Sequence, residues 1–248
     1  MSKFKLSINI LFVISLMYLA GCINVNQKTK INKDLSGEMV LHYWSPSNMI
    51  DIGEINMGDE IVGYSYIESE IKKKYSSGNM EITNMRRVKS NVDTTTHIEL
   101  NIVFKDFNKL SESNGFANNE ASYVKGKDGM DFRYFIPKDT SIRMDYVKDI
   151  NTLEYIFEFP DEVTATNGTI EETVNEKGEK KNNQVKWVFQ LKDHATENFE
   201  LTATVKDSFS ICGMFGLELP IVFLFGMVIL NSKKIFNKKK LAKSNSCK

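Results

Sequence analysis

The residues best placed to do chemistry are Leu19-Ala20-Gly21-Cys22. A thiol directly behind Ala-Gly, after an apolar run, is the pattern on which diacylglycerol is transferred to sulfur before the leader is cut away. Leu19, Ala20 and Gly21 form the signal-peptidase motif and Cys22 is the lipidated residue. Lys3 and Lys5 supply a charged start, and residues 6–18 an apolar stretch. A bilayer crossing takes ~20 residues, so that stretch favours a cleaved signal over a resident helix. The competing reading is an ordinary secretory signal with a chance cysteine. Residues 1–21 are therefore expected to be absent from the mature chain.

A second candidate is Glu218, the one charge within the apolar run 209–230, with Pro220 two residues on. A charged side chain at mid-bilayer costs ~2.5–3.5 kcal/mol on insertion scales, so Glu218 is either a contact for a partner helix or a tolerated residue nearer the head groups. The three histidines, His42, His97 and His194, lie far apart in sequence. No HExxH, CxxC, Gly-x-Ser-x-Gly or phosphate-cradling pattern occurs. Asp193-His194 is a dipeptide and not a dyad. Asp128 and Asp131 beside Gly129 lack the ligand spacing of a calcium loop and read as a turn. Asn167-Gly168-Thr169 matches a glycosylation sequon and reads as a turn before a strand. Trp44 and Trp187 are expected in the sheet core. The expectation is no enzyme, no catalytic residue, no metal and no cofactor.

The ends set the topology. Residues 209–230 are long enough to cross a bilayer; the competing reading is a buried segment of the domain. The tail 231–248 carries seven lysines and no acid, which places it in the cytoplasm. The domain 22–208 is then extracytoplasmic, lipid-anchored and single-pass. The chain as a whole has 32 basic and 32 acidic side chains, but residues 23–208 carry 23 against 31. That acidic surface excludes nucleic acid as a partner and disfavours tight electrostatic docking on anionic lipid. Cys212 and Cys247 lie beyond residue 208, so the domain is held by its core and not by internal disulfides. Its length suits one domain or two small lobes.

These chemical residues need elements to carry them. Ile23, Val25, Gln27, Thr29 and Ile31 alternate, as do Met39, Leu41 and Tyr43 against Val40, His42 and Trp44. With a turn at 32–37 this predicts a hairpin, its second strand central because both faces are apolar. Met57, Ile61, Tyr64, Ile67, Ile71 and Tyr75 recur at spacings of three and four, predicting one long amphipathic helix over 57–76 that lies across a sheet. Further strands are expected at 81–89, 94–104, 121–125, 130–136, 153–159, 163–167, 169–173, 185–190 and 199–205, with a short helix at 107–113 capped by Asp106. The fold class expected is thus α+β, antiparallel sheet with a long helix packed across it, plus a C-terminal transmembrane helix. The first strand starts straight after Cys22 and the last ends just before 209, so both are expected to meet the membrane on one side of the fold.

Several pieces in order resemble a bacterial lipoprotein family, the LppM-like proteins. They are the lipobox cysteine running into a strand and Lys33-Asp34-Leu35-Ser36-Gly37, the stretch Phe159-Pro160-Asp161-Glu162-Val163, then Val185-Lys186-Trp187 and Leu201-Thr202-Ala203 before an apolar run. Asp161 stands where such proteins often have Gly. The resemblance implies an α+β envelope domain, lipid-anchored, followed by a membrane helix, with lipid or glycolipid handling and no agreed catalytic residues.

The function expected is that of a non-enzymatic envelope lipoprotein in the cell membrane. Its partner would be an amphiphile (lipid or glycolipid) or another membrane protein. The alternative is an accessory subunit assembled through 209–230. A deep apolar cavity between helix and sheet would favour a ligand, and a solid core a protein partner. A cleft joining His42 or His97 to carboxylates would favour a hydrolase.

Overall fold

Two runs of alternating burial open the fold. β1 (Asn24–Ile31) turns Val25, Gln27, Thr29 and Ile31 inward, and β2 (Gly37–Pro46) turns Met39, Leu41, Tyr43 and Ser45 inward. They pair antiparallel with Ile31 opposite Gly37, across a turn in which Asp34 accepts from Ser36 and Leu35 takes a φ of 69°. This computed structural model describes residues 23–47, 60–61, 64–140, 142, 151–174, 178 and 180–207. Leu19, Ala20, Gly21, Cys22, the run 209–230 with Glu218, and the tail 231–248 lie outside the described residues. The chain divides into Met1–Lys206 and Asp207–Lys248, and every strand and helix named below belongs to the first unit.

The remaining elements are β3 (Glu60–Ile61), β4 (Tyr64–Ser65), α1 (Glu68–Tyr75), β5 (Met80–Lys89) and β6 (Thr95–Phe104). Two 3-10 turns follow at Phe107–Glu112 and Asn114–Phe116, then β7 (Glu120–Lys125), β8 (Met130–Ile136), β9 (Thr152–Glu158) and β10 (Val163–Thr166). The chain continues through β11 (Thr169–Val174), β12 (Lys180–Gln190), α2 (Leu191–His194) and β13 (Phe199–Val205). One sheet has the order β11-β12-β9-β1-β2-β6-β5, and a second the order β10-β13-β8-β7. β2 is central, between β1 and β6. Between the sheets the rings interlock. Phe132 of the small sheet lies 4.8 Å from Phe157 and 6.0 Å from Trp187 of the large one, and Phe107 lies 5.5 Å from Phe132. Such aromatic pairs add about 0.5–1.5 kcal/mol each beyond their area burial.

The fold class expected from the sequence is overturned. The domain is predominantly β in two sheets, and its helices are short. The long helix over 57–76 is replaced by the β3–β4 pair followed by α1, only eight residues long. The reason is local. Gly58 and Gly63 each cost a helix about 1 kcal/mol relative to Ala, and β-branched Ile61 and Val62 lower its propensity further. Extended backbone there also satisfies Tyr43, whose hydroxyl donates to the carbonyl of Ser65. α1 packs beside the edge strand β5, burying only Ile71 and Tyr75. Among the described residues no helix is long and apolar enough to cross a membrane.

The ends of the domain also part from expectation. Asn24 accepts from the amide of Thr152, Val25 pairs with Leu153, and Leu153 with Phe189, whose ring stacks 4.0 Å from Phe199. The start of β1 and the start of β13 therefore share one end of the fold. Val205 pairs with Val163, and Lys206 donates to the carbonyl of Glu162, a few residues beyond Glu158, which pairs with Lys30. Lys33 bridges to Asp161 at 3.2 Å. The chain thus enters at one end and leaves at the other, separated by a strand length of roughly 23 Å at about 3.3 Å per residue. Two-sheet stacking with β1 and β13 running the same way is a tertiary fact that no local pattern encodes.

Candidate functional site

Cross-strand register builds the one constellation of titratable side chains with chemical character among the described residues. β2 and β6 pair so that His42 opposes Glu99 and Trp44 opposes His97, all on the outward face of the large sheet. His42 Nε2 and His97 Nδ1 stand 3.0 Å apart. Trp44, expected in the core, is half-buried on this outer face instead, its ring 4.7 Å from His42 and 5.7 Å from His97. The reason is parity: Tyr43 and Ser45 take the inward positions of β2, so Trp44 cannot. Trp187 does lie in the core, 4% exposed.

The protons on this cluster follow from its far end. Asp93 is held down at about 2 by hydrogen bonds from Ser90 and then Thr95, so it is a carboxylate and accepts only. Thr95 Oγ1 donates to it at 2.6 Å and so must accept from His97 Nε2, at 2.7 Å. In the neutral His97 imidazole the lone pair is then at Nδ1, to which His42 Nε2–H donates. The chain runs His42, His97, Thr95, Asp93, each donating to the next. Burial, and then the neighbouring His97, push the pKa of His42 down. Thr95 is no nucleophile here, since its proton points at Asp93 and the imidazole donates to it rather than accepting from it.

Two grooves lie elsewhere. One of about 440 Å³ runs between α1 and β5, with Ile71, Ile82, Met85 and Ile98 in its lining and Lys72 and Arg87 among its polar groups. It is open and of mixed polarity, whereas the cavity that would favour a ligand was expected to be deep and apolar. The other, of about 510 Å³, gathers Lys28, Lys30, Lys33 and Lys181 around Glu158 where β1 and β9 end. The net charge of the domain gave no sign of that local excess.

The remaining sequence candidates are scattered. His194 ends α2 and stacks on Phe199 at 5.2 Å, and burial lowers its pKa. Asp128 lies in the β7–β8 turn, and Asp131 in β8 close against Gly126. Among the described residues no group of three or more His, Cys, Asp or Glu is arranged to hold a metal ion. Asn167 is more than a turn residue. Its Oδ1 accepts from Trp187 Nε1 at 2.8 Å and from the amide of Thr202 at 3.0 Å, and its Nδ2 donates to the carbonyl of Glu200 at 2.7 Å. One side chain so joins β12 of the large sheet to β13 of the small one. The sequence alone reveals neither the His42–His97 pair nor this junction, since each depends on strand pairing; the outward parity of His42 and His97 is the one signal it offers.

The fold and site define a two-sheet β domain that carries an aromatic-backed imidazole pair on its outer face. No protein-family model matches the chain, and no curated protein matches it. Among solved structures it is similar to the folded domain of the LppM protein of Mycobacterium tuberculosis, determined by NMR, at 14% identity and a TM-score of 0.42. The match covers 77% of this chain and 93% of that one.

Proposed function

We propose that the chain is a non-enzymatic envelope lipoprotein, held at the outer face of the cytoplasmic membrane, whose β domain binds an anionic amphiphile. The observation that carries the binding is the groove between α1 and β5. Ile82 and Met85 offer half-buried apolar surface to an alkyl chain, while Arg87 and Lys72, the latter paired with Glu68 at 2.6 Å, supply polar groups beside it for a head group. The aromatic rings fill the space between the sheets, so an amphiphile has only a surface groove to occupy, and the filled core favours a protein partner as the second reading. Anchoring rests on Leu19-Ala20-Gly21-Cys22 and on the run 209–230. The domain starts at once after Cys22, since Ile23 is fully buried.

Native mass spectrometry of the detergent-extracted full chain tests the reading. The expected result is a bound anionic amphiphile that is lost in Met85→Asp and in Arg87→Glu. A chain that flies bare, or that keeps its ligand in both variants, would overturn it. The alternative, an accessory subunit, is favoured by the lone carboxylate of Glu218 in an apolar run. It predicts a co-purifying subunit that is lost in Glu218→Leu. Fractionation tests the anchor separately. Cys22→Ala is expected to leave the protein in the membrane fraction through 209–230, and its release into the soluble fraction would show that the run does not span.

A further inference from the structure

We propose that the groove where β1 and β9 end binds a linear anion carrying several phosphate groups. Four of its lining side chains are lysines, Lys28, Lys30, Lys33 and Lys181, and one, Glu158, is acidic. In a domain with 23 basic and 31 acidic side chains that excess is local, and strand order creates it. β1 runs parallel to β9 with Lys30 opposite Glu158, and β12 runs antiparallel to β9 with Gln184 opposite the same residue. The early part of β12, with Lys181, is therefore carried past the end of β9, as is the β1–β2 turn with Lys33.

These cations are unequally engaged. Lys33 is bridged to Asp161 at 3.2 Å, and Lys30 reaches Glu158 only at 4.0 Å. Among the described residues Lys28 and Lys181 are exposed and make no ion pair. The floor is neutral. Ile31, Phe159 and Asn183 are buried there, and Asn183 spends its amide on the carbonyl of Phe159 and on the hydroxyl of Thr173. Recognition therefore falls to the amines at the rim, and a lysine ammonium is a point charge suited to phosphate. The amines are spread out. Lys28 and Lys30 are two positions apart on one strand, about 7 Å, and β9 separates β1 from β12, which sets them about 10 Å apart. That spacing fits a row of phosphates and not a single ion. The site needs neither the amphiphile groove nor the membrane anchor.

The test is acetylation of lysine amines in the full chain, held in phosphatidylcholine nanodiscs and read residue by residue by mass spectrometry. Inorganic tripolyphosphate is the soluble probe. It is expected to slow the labelling of Lys28, Lys30 and Lys181 and to leave Lys73, in the last turn of α1, unchanged. Raising the salt from about 0.1 M to about 1 M shortens the screening length from about 10 Å to about 3 Å and should abolish that protection. Calorimetric titration then reads the sign of each charge. Lys28→Gln and Lys181→Gln should each weaken tripolyphosphate binding about fivefold, the effect of one unit charge at about 4 Å in water. Glu158→Gln should tighten it by about as much, and Lys73→Gln should change nothing. Opposite shifts on removing opposite charges are not what a folding defect produces. Protection of the same lysines by phosphatidylglycerol nanodiscs, with no probe added, would assign the phosphates to lipid head groups; protection by tripolyphosphate alone would assign them to a soluble anion. Protection by neither, equal slowing at Lys73, or equal protection by hexaglutamate would overturn the proposal.

Discussion

His42 shows how a folded neighbourhood sets the charge of one side chain. Burial and the facing His97 hold its folded pKa below the ordinary 6.5, and burial does the same for His194. In the unfolded chain both titrate normally, so below pH 6.5 the unfolded state binds more protons than the folded one. Stability is therefore unaffected above that pH and falls as the pH drops from 6.5 towards the folded values. Urea denaturation between pH 7.5 and 5 should show this loss, and His42→Gln should make the dependence shallower. A second residue-scale expectation concerns Asn167. Asn167→Ala leaves Trp187 Nε1, in the core, without its acceptor, at a cost of about 1–3 kcal/mol. A lower denaturation midpoint with unchanged slope would be the sign. Neither role is legible in the sequence. Asn167 reads as a turn, which it is, but its acceptors and donors lie 20 to 35 positions away.

The elements divide by how local their causes are. β1, β2, β6, β8, β9 and β13 are readable because period-two alternation places one face in the core, as in the buried Ile98, Leu100, Ile102 and Phe104 of β6. The span 57–76 misleads because apolar residues at spacings of three and four also fit a β3–β4 pair that enters a short helix. What holds α1 is not its own propensity, since an isolated helix of eight residues is marginal in water. Tyr75 holds it, with its ring on Gly115 and 5.6 Å from Phe116. A Cβ on Gly115 would come within 2.3 Å of the Tyr75 ring. Gly115→Ala should therefore destabilise by about 1–3 kcal/mol through overpacking, and thermal unfolding should show a lower Tm. A neutral result would mean that α1 can shift away freely.

At the scale of the whole molecule, counting charges gives an acidic domain and stops there. The fold draws Lys28, Lys30, Lys33 and Lys181 into one groove, so the surface is patterned and not uniformly acidic. The expectation that both ends of the domain meet on one side fails for a related reason: sequence shows where strands start, not how sheets stack. The chain enters beside Thr152 and leaves beside Glu162. That path has a mechanical meaning. Tension applied between Ile23 and Lys206 runs along β1 and β13, each flanked by strands on both sides. Ladder hydrogen bonds lie across such a load, so they are sheared together and not peeled one at a time. Forced unfolding is governed by the rate of leaving the native state. Pulled from these two points in an optical trap, the domain should hold and then yield in a single event. A gradual, low-force unravelling from either end would contradict it. A domain loaded between these two points would work as a tie that carries tension through its core.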